Sequence, residues 1–421
     1  MPSKQIYIIG AGPGARDILT VTARDALIRS ERVFGAERLL NSFSELLQGK
    51  KTDVLVTDES IAAAIRESDE KIYAALVSGD SGFFSLSKRL FQKLVDEARG
   101  KDWELEIICG VSSVSYMASK LGVSYEDAAV KSFHGRLRQD SPNIERERLL
   151  NEMTGLAAHS RRCFFLTDGI VSPGLIFRVL SERGLGKLRA SVGERLSYHD
   201  EKITIGVVND IKRSDFRTPN IVFLENDDVK SHPSEAQDSD FIRGSVPMTK
   251  ESVRILSLSK LRLKPDAICW DIGAGTGSVS CSMAFAVPYG RVYAVEKDAD
   301  ALSLVRQNKE KFGCYNMEVI EGAAPAAFST LPPPDSAFIG GSSGAMTDIL
   351  REILNKNPAA RIVINVITLE TLGVVQAFLA ENRVCGAEIV QISVNEFQKT
   401  GKYSLLKAQN PVFIISFGGA E

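Results

Sequence analysis

Paired cysteines, metal-ligand spacings, basic blocks and membrane-length apolar runs are all missing from this chain, and each absence removes a class of function. Cys109, Cys163, Cys269, Cys281, Cys314 and Cys385 are scattered, with no CxxC pair. They read as reduced thiols of a cytosolic protein rather than as a disulfide framework. None of the four histidines stands in HxH or HExxH spacing, so no metal site is expected. Lys and Arg nowhere gather into a block and the net charge is −2, which disfavours a nucleic-acid partner. No apolar run is long enough to cross a bilayer, so no membrane association is expected. The chain enters a strand-like run straight after "MPSKQ", which leaves no room for a signal peptide. The expected compartment is the cytoplasm.

What is present suits a globular protein of two parts. A chain of 421 residues exceeds one ordinary domain. The stretch "ENDDVKSHPSEAQDSD", 225–240, holds six acidic residues and one lysine. Poor in apolar side chains, it reads as a solvated linker. The expected division is 1–226, a linker at 227–243, and 244–421.

The second part has a clear strand–helix alternation. After the helix-like "TKESVRILSLSKL", with Thr249 as a candidate N-cap, come strands "AICWDIG", "RVYAVEK", "MEVIEG", "SAFIGG" and "RIVINV", separated by helical patterns. Two further runs, "AEIVQISVNEF" and "PVFIISF", suit an antiparallel pair. Seven strands are expected, mostly parallel, with ligands beyond their carboxyl ends. The loop "DIGAGTGS" places Gly273, Gly275 and Gly277 after the first strand, but Ser278 stands where a dinucleotide site wants its third glycine. Glu296 closes the next strand, placed to accept both hydroxyls of a ribose. Asp-x-Gly-x-Gly-x-Gly followed by such an acid is the layout of S-adenosylmethionine (SAM) sites, in which Asp271 can lie near the cationic amino acid part.

The first part carries a local look-alike, "IIGAGPGA", built differently. Thr20 is the expected N-cap, several residues beyond Gly14, so no helix N-terminus lies directly under the loop. Pro13 removes a donor, and no acid closes the next strand. Other strand exits bear small polar residues: Ser78-Gly79-Asp80, Gly110 with Ser112-Ser113, and Thr167-Asp168. Together they are expected to form one crevice at a sheet's carboxyl edge.

These motifs resemble two families. "GAGPG", "SGDSGF", "GVSSVSYMASKLG", "LTDG" and "GERLSYHDEKI" are similar to the tetrapyrrole methylases, which bind SAM between two α/β lobes without a Rossmann loop. "MTKESVR", "DIGAGTGSVS", "VYAVEKD", "EGAAP", "FIGGSSG", "VINVITLET" and "NPVFIIS" resemble the decarboxylating precorrin methyltransferases of the seven-strand, Rossmann-like class. The resemblance implies an α/β protein with two SAM sites per chain and an acidic tetrapyrrole substrate. It further implies methylation at C5 by the first part. C15 methylation, with loss of carbon dioxide from the C12 acetate arm, falls to the second. Both families tend to assemble, so a homo-oligomer is expected. The first site would use Pro13, Ser78, Gly79, Asp80, Phe83, Ser112, Ser113 and Thr167. The second would use Thr249, Gly273, Ala274, Gly275, Thr276, Gly277, Glu296 and Ala324.

No catalytic residue is assigned, because the cofactor carries the reactive methyl. His134, Asp168 and Glu194 are candidates for proton transfer, with hydrogen-bonding roles as the alternative. Arg16, Lys131 and Arg136 are candidates for substrate carboxylates. Three other readings stay open at this point: a two-site RNA methyltransferase, a nicotinamide-dependent oxidoreductase, and a SAM-binding regulatory module.

Overall fold

The computed structural model describes residues 2–211, 215–230, 236–382, 384 and 386–419. The middle of the acidic segment, 231–235, and Cys385 lie outside them. The described chain forms two compact units, one of residues 1–139, 161–178 and 187–225, the other of 140–160, 179–186 and 226–421.

The first unit contains two five-stranded sheets. Strands β1 (Lys4–Gly10), β2 (Arg32–Gly35), β3 (Lys51–Val54), β4 (Ile72–Val77) and β5 (Trp103–Ile108) form an all-parallel sheet in the order β3-β2-β4-β1-β5. The central strand reads "KQIYIIG", a continuous apolar run, because side chains on both of its faces are buried: Tyr7 and Ile9 on one, Ile6 and Ile8 on the other. The second sheet takes β6 (Ala129–Ser132), β7 (Arg162–Leu166), β8 (Arg189–Glu194), β9 (Lys202–Val207) and β10 (Asn220–Glu225) in the order β6-β7-β10-β8-β9, with only β6 and β7 parallel.

The second unit is built on β11 (Ile268–Ile272), β12 (Arg291–Glu296), β13 (Met317–Glu321), β14 (Ser336–Ile339), β15 (Arg361–Val366), β16 (Glu388–Ile392) and β19 (Val412–Phe417), in the order β13-β12-β11-β14-β15-β19-β16. All pairs are parallel except those of β19, which runs against β15 and β16. The seven-strand reading and the reversed last strand both hold. Its centre, β11, is buried at every residue, with Trp270 packed on Phe328. Helix Ser278–Ala286, six of whose nine residues are Ser, Cys or Ala, is buried from Ser278 to Ala284.

Three expectations change. The run "AEIVQISVNEF" divides into β16 and a separate strand, β17 (Asn395–Thr400), which pairs with β18 (Tyr403–Ala408) in an exposed hairpin. The helix after Thr249 begins at Glu251, capped by Lys250 without a side-chain bond. Finally, the acidic segment is solvated only in part. Ala236 and Phe241 are buried, and Asp238 pairs with the buried Arg254 guanidinium at 3.0 Å, so a short polar stretch is held by the few apolar groups it has.

Candidate functional site

A cavity of about 890 Å³ opens at the carboxyl ends of β11, β12, β14 and β15, inside the ~300–1,000 Å³ range of small-molecule sites. Thr249, Gly273, Ala274, Gly275, Thr276, Glu296 and Ala324 all line it, as the sequence led us to expect. Gly273, Gly275 and Gly277 adopt φ of 72°, 59° and 78°, a left-handed backbone that favours glycine. At Gly273 a Cβ would also fall 2.8 Å from the Gly341 carbonyl oxygen, so the missing side chain of Gly273 is what lets the glycine loop pass so close to the backbone after β14. Gly277 is the exception among the predicted residues: it does not line the cavity. A Cβ there would meet Val305 Cα at 3.2 Å, so this glycine serves the packing of two helices.

Glu296 organises the site. Its Oε2 accepts the Gly275 N–H at 2.9 Å, while Oε1 accepts the N–H groups of Lys297 and Asp298 at 2.8 and 3.0 Å. The carboxylate thereby ties the end of β12 to the glycine loop. The lining also holds polar groups that the chain leaves free. Thr276 Oγ1 and Asn365 Nδ2 are buried with no partner among the described residues, and both residues line the cavity. Free hydroxyl and amide groups beside an acid-anchored glycine loop fit a nucleoside-bearing cofactor such as SAM. Asn365 was missed in the sequence; its position at the carboxyl end of β15 was the available signal.

Asp271 corrects an expectation. It does not line the cavity but lies wholly buried beneath the loop, its Oδ2 accepting from the Ser280 hydroxyl. Burial pushes its carboxyl up from 3.8 to about 7, with Glu296 adding to the rise and Ser280 opposing it. A carboxyl raised on folding contributes its full stability at pH below the unfolded value and loses it as pH climbs through the folded one. Asp271→Asn removes that loss. Between pH 4 and pH 8 the variant should gain on the wild type by on the order of 4 kcal/mol, at about 1.36 kcal/mol per pH unit. Urea unfolding of both proteins across that range checks the prediction, and a pH-independent difference would refute it.

In the first unit, the exits of β1, β4 and β5 converge. Gly12 and Gly79 exchange both backbone hydrogen bonds, at 3.1 and 2.9 Å. Asp80 Oδ2 accepts the Gly110 N–H at 3.3 Å, and its Oδ1 accepts that of Gly82 at 2.7 Å. Ser112 caps helix Ser113–Leu121. Pro13, Ser78, Gly79, Asp80, Ser112 and Ser113 are thus brought to one sheet edge. Phe83 sits farther along the loop, exposed and edge-on to Phe84.

Thr167 does not join this edge as expected. It follows β7, which belongs to the second sheet, and its buried hydroxyl donates to the Asn220 carbonyl at 2.9 Å. Two proton-transfer candidates also prove to anchor loops. Asp168 accepts the N–H groups of Gly135, Ile170 and Val171, and the fully buried Glu194 accepts that of Arg217. His134 is exposed, and Arg16 pairs with Glu45. Among the described residues no group of His, Cys, Asp or Glu is arranged to hold a metal, and no helix is long and apolar enough to cross a membrane.

Comparison with known proteins places both halves of the chain by family. Residues 5–212 match the family model of tetrapyrrole (corrin/porphyrin) methylases, and 241–417 that of the precorrin methyltransferase domain. A probable cobalt-precorrin-6B C(15)-methyltransferase (decarboxylating) of Pyrobaculum calidifontis is 40% identical over 173 residues, 41% of this chain and 88% of the relative. The cobalt-precorrin-6B C(15)-methyltransferase (decarboxylating) of Salmonella typhimurium is 37% identical over 182 residues, 43% of this chain and 94% of the relative. A precorrin-6Y C(5,15)-methyltransferase [decarboxylating] of Sinorhizobium sp is 25% identical over 416 residues, 97% of this chain and 95% of the relative. With 40% identity over 88% of one relative and a match over 97% of this chain to another, the chain belongs to the decarboxylating precorrin methyltransferases.

Proposed function

We propose that the chain methylates precorrin-6Y, or its cobalt form, at C5 and C15 and removes carbon dioxide from the C12 acetate arm, as part of cobalamin biosynthesis in the cytoplasm. The observation that carries this reading is the acid-anchored glycine loop at the mouth of a cavity large enough for a small-molecule ligand. The end-to-end likeness to a C(5,15)-methyltransferase supports it. In sequence, 1–226 takes the C5 transfer, 244–421 takes the C15 transfer with decarboxylation, and 227–243 joins them.

SAM, when bound, supplies a methyl already activated by its sulfonium. The chain's own residues have to bind and align. Glu296 accepts from the ribose, and the glycines at 273 and 275 let the backbone approach the ligand. Thr276 Oγ1 and Asn365 Nδ2 offer further hydrogen bonds. At the first site Pro13, Ser78, Gly79, Asp80, Phe83, Ser112 and Ser113 hold a second SAM. The electron-rich macrocycle provides the carbon nucleophile. Its conjugated system accepts the electron pair released when the carboxylate carbon departs as carbon dioxide. Alignment of two bound reactants is worth roughly 7–11 kcal/mol of the barrier, so no catalytic triad is required.

The test is the mass of the tetrapyrrole after incubation of the full chain with precorrin-6Y and SAM. Gain of two methyls with loss of one carbon dioxide supports the reading; an untouched substrate, in both metal-free and cobalt forms, rejects it. We also propose a homo-oligomer. The β17–β18 hairpin exposes Phe397, Tyr403, Leu405 and Leu406, and an isolated two-stranded hairpin is marginal in water without a covering partner. Light scattering on the same preparation tests this, and a monomeric mass would overturn it.

A further inference from the structure

A second cavity, of about 470 Å³, lies in the first unit between the loop after β1, the helix Glu37–Ser42 and the loop after β8. Its lining includes Arg16, Arg38, Arg195 and His199, and no carboxylate among the described residues. We propose that it is a recognition site for the carboxylate arms of the tetrapyrrole methylated by the first unit, with Arg38 as its central cation. The proposal rests on the function proposed above and adds the residues that bind the substrate there.

Three observations support it. First, no carboxylate of the described residues pairs with Arg38. Nη1 donates to the Tyr198 hydroxyl at 2.9 Å and Nη2 to Ser78 Oγ, so both partners are neutral. A half-buried guanidinium held only by hydroxyls keeps its attraction for an incoming anion.

Second, the walls are built to hold their positions. Tyr198 is wedged against the loop after β1, where a Cβ on Gly14 would fall 2.3 Å from its ring. The Arg195 guanidinium lies 4.7 Å from the same ring's centroid. Asp200 orients Arg195 with contacts of 2.9 and 2.8 Å, and Ser197 Oγ accepts the Ala15 N–H at 3.0 Å. Arg195 and Ser197 both carry positive φ, 48° and 70°, conformations that non-glycine residues adopt at a cost and that gather at functional sites.

Third, the cavity borders the cofactor loop. Arg38 bonds Ser78, the first residue beyond β4 and one of those proposed to hold SAM. Arg16 and Arg195 are already paired with Glu45 and Asp200, so Arg38 is the guanidinium of this lining open to an incoming carboxylate.

Of the candidates for substrate carboxylates, Arg16, Lys131 and Arg136, Arg16 is the one that lines this cavity. Arg38 and Tyr198 stand 160 residues apart and meet only in the fold.

The test uses the full chain and uroporphyrin I, a tetrapyrrole with eight carboxylates, as probe. Titration by fluorescence quenching should show Arg38→Gln binding it about tenfold more weakly than wild type, with a shallower salt dependence, and Arg38→Lys recovering part of the loss. Calorimetric SAM titration should be unchanged. The KM for the tetrapyrrole in the C5 transfer should rise about tenfold, while the C15 transfer of the same molecule continues and reports that the chain is folded. Equal porphyrin binding by wild type and Arg38→Gln overturns the site. Loss of SAM affinity without loss of porphyrin affinity also overturns it, since the anion would then be the cofactor's. Wild type that transfers no methyl rejects the underlying function instead, a result these binding curves keep distinct.

Discussion

Glu296→Ala should yield a product with one added methyl and no loss of carbon dioxide, because the second site alone is disabled. In the folded chain three backbone N–H groups already converge on this carboxylate. A carboxylate offers about four acceptor positions. One is therefore free for a ribose hydroxyl, and a second hydroxyl could be accepted only by exchanging one of the three backbone bonds. A hydrogen bond to a charged group is worth about 1.5–3 kcal/mol. Removing it weakens a ligand by about 10- to 100-fold at 1.4 kcal/mol per decade. Alanine also leaves the three N–H groups without their acceptor and frees the glycine loop from β12, so we expect the upper end, about 100-fold. Calorimetry should then show one class of SAM site where the two-site function proposed above expects two for the wild type. Glu296→Gln, which keeps the shape and one acceptor oxygen, should fall between the two. If Glu296→Ala still adds two methyls and removes carbon dioxide at the wild-type rate, the acid is not part of the cofactor site.

Features that depend on neighbours in sequence were legible before the structure. The loop at 271–278 follows an apolar run and precedes a helix of small residues, so its strand–loop–helix geometry is written in eight consecutive letters. Thr20 caps its helix for an equally local reason: its side chain accepts an N–H three residues on.

Features set by tertiary packing were not. Gly277 has the same spacing as Gly273 and Gly275, yet what it faces is Val305, which only the fold brings near. Asp271 was placed toward the cofactor by motif position, but its strand is the buried centre of the sheet, and its side chain turns to Ser280 instead. Thr167 ends a strand like the others, but nothing in "LTDG" says that the strand belongs to a different sheet. The strand Tyr403–Ala408 was missed because "YSLLKA" is exposed at every residue and so carries no burial pattern to read.

At the first site the largest effect should come from Gly110→Ala. The exits of β1, β4 and β5 meet there with no side chain between them. A Cβ on Gly110 would lie 2.4 Å from the Gly10 carbonyl oxygen and 2.6 Å from that of Gly79. Both obstacles are backbone, so no flexible group can swing away. The conformation of Gly110 is not left-handed, which makes the penalty one of space alone. Overpacking of a closed interior costs about 1–3 kcal/mol and occasionally more; with main chain on two sides we expect about 3 kcal/mol. Relief requires the strand exits to separate, which breaks the Asp80–Gly110 bond and moves Ser78–Asp80 and Ser112 apart. The C5 methylation should be lost while the C15 methylation and decarboxylation persist. Gly100→Ala is the control. Its Cβ meets open space and incurs only the left-handed φ of 73°, about 1–2 kcal/mol, far from the proposed site, so it should lower stability and leave both transfers intact. Denaturant unfolding of the two variants beside product mass separates the outcomes. A Gly110→Ala chain that unfolds with the wild type and still methylates C5 would mean that the three strand exits do not close on one another as described.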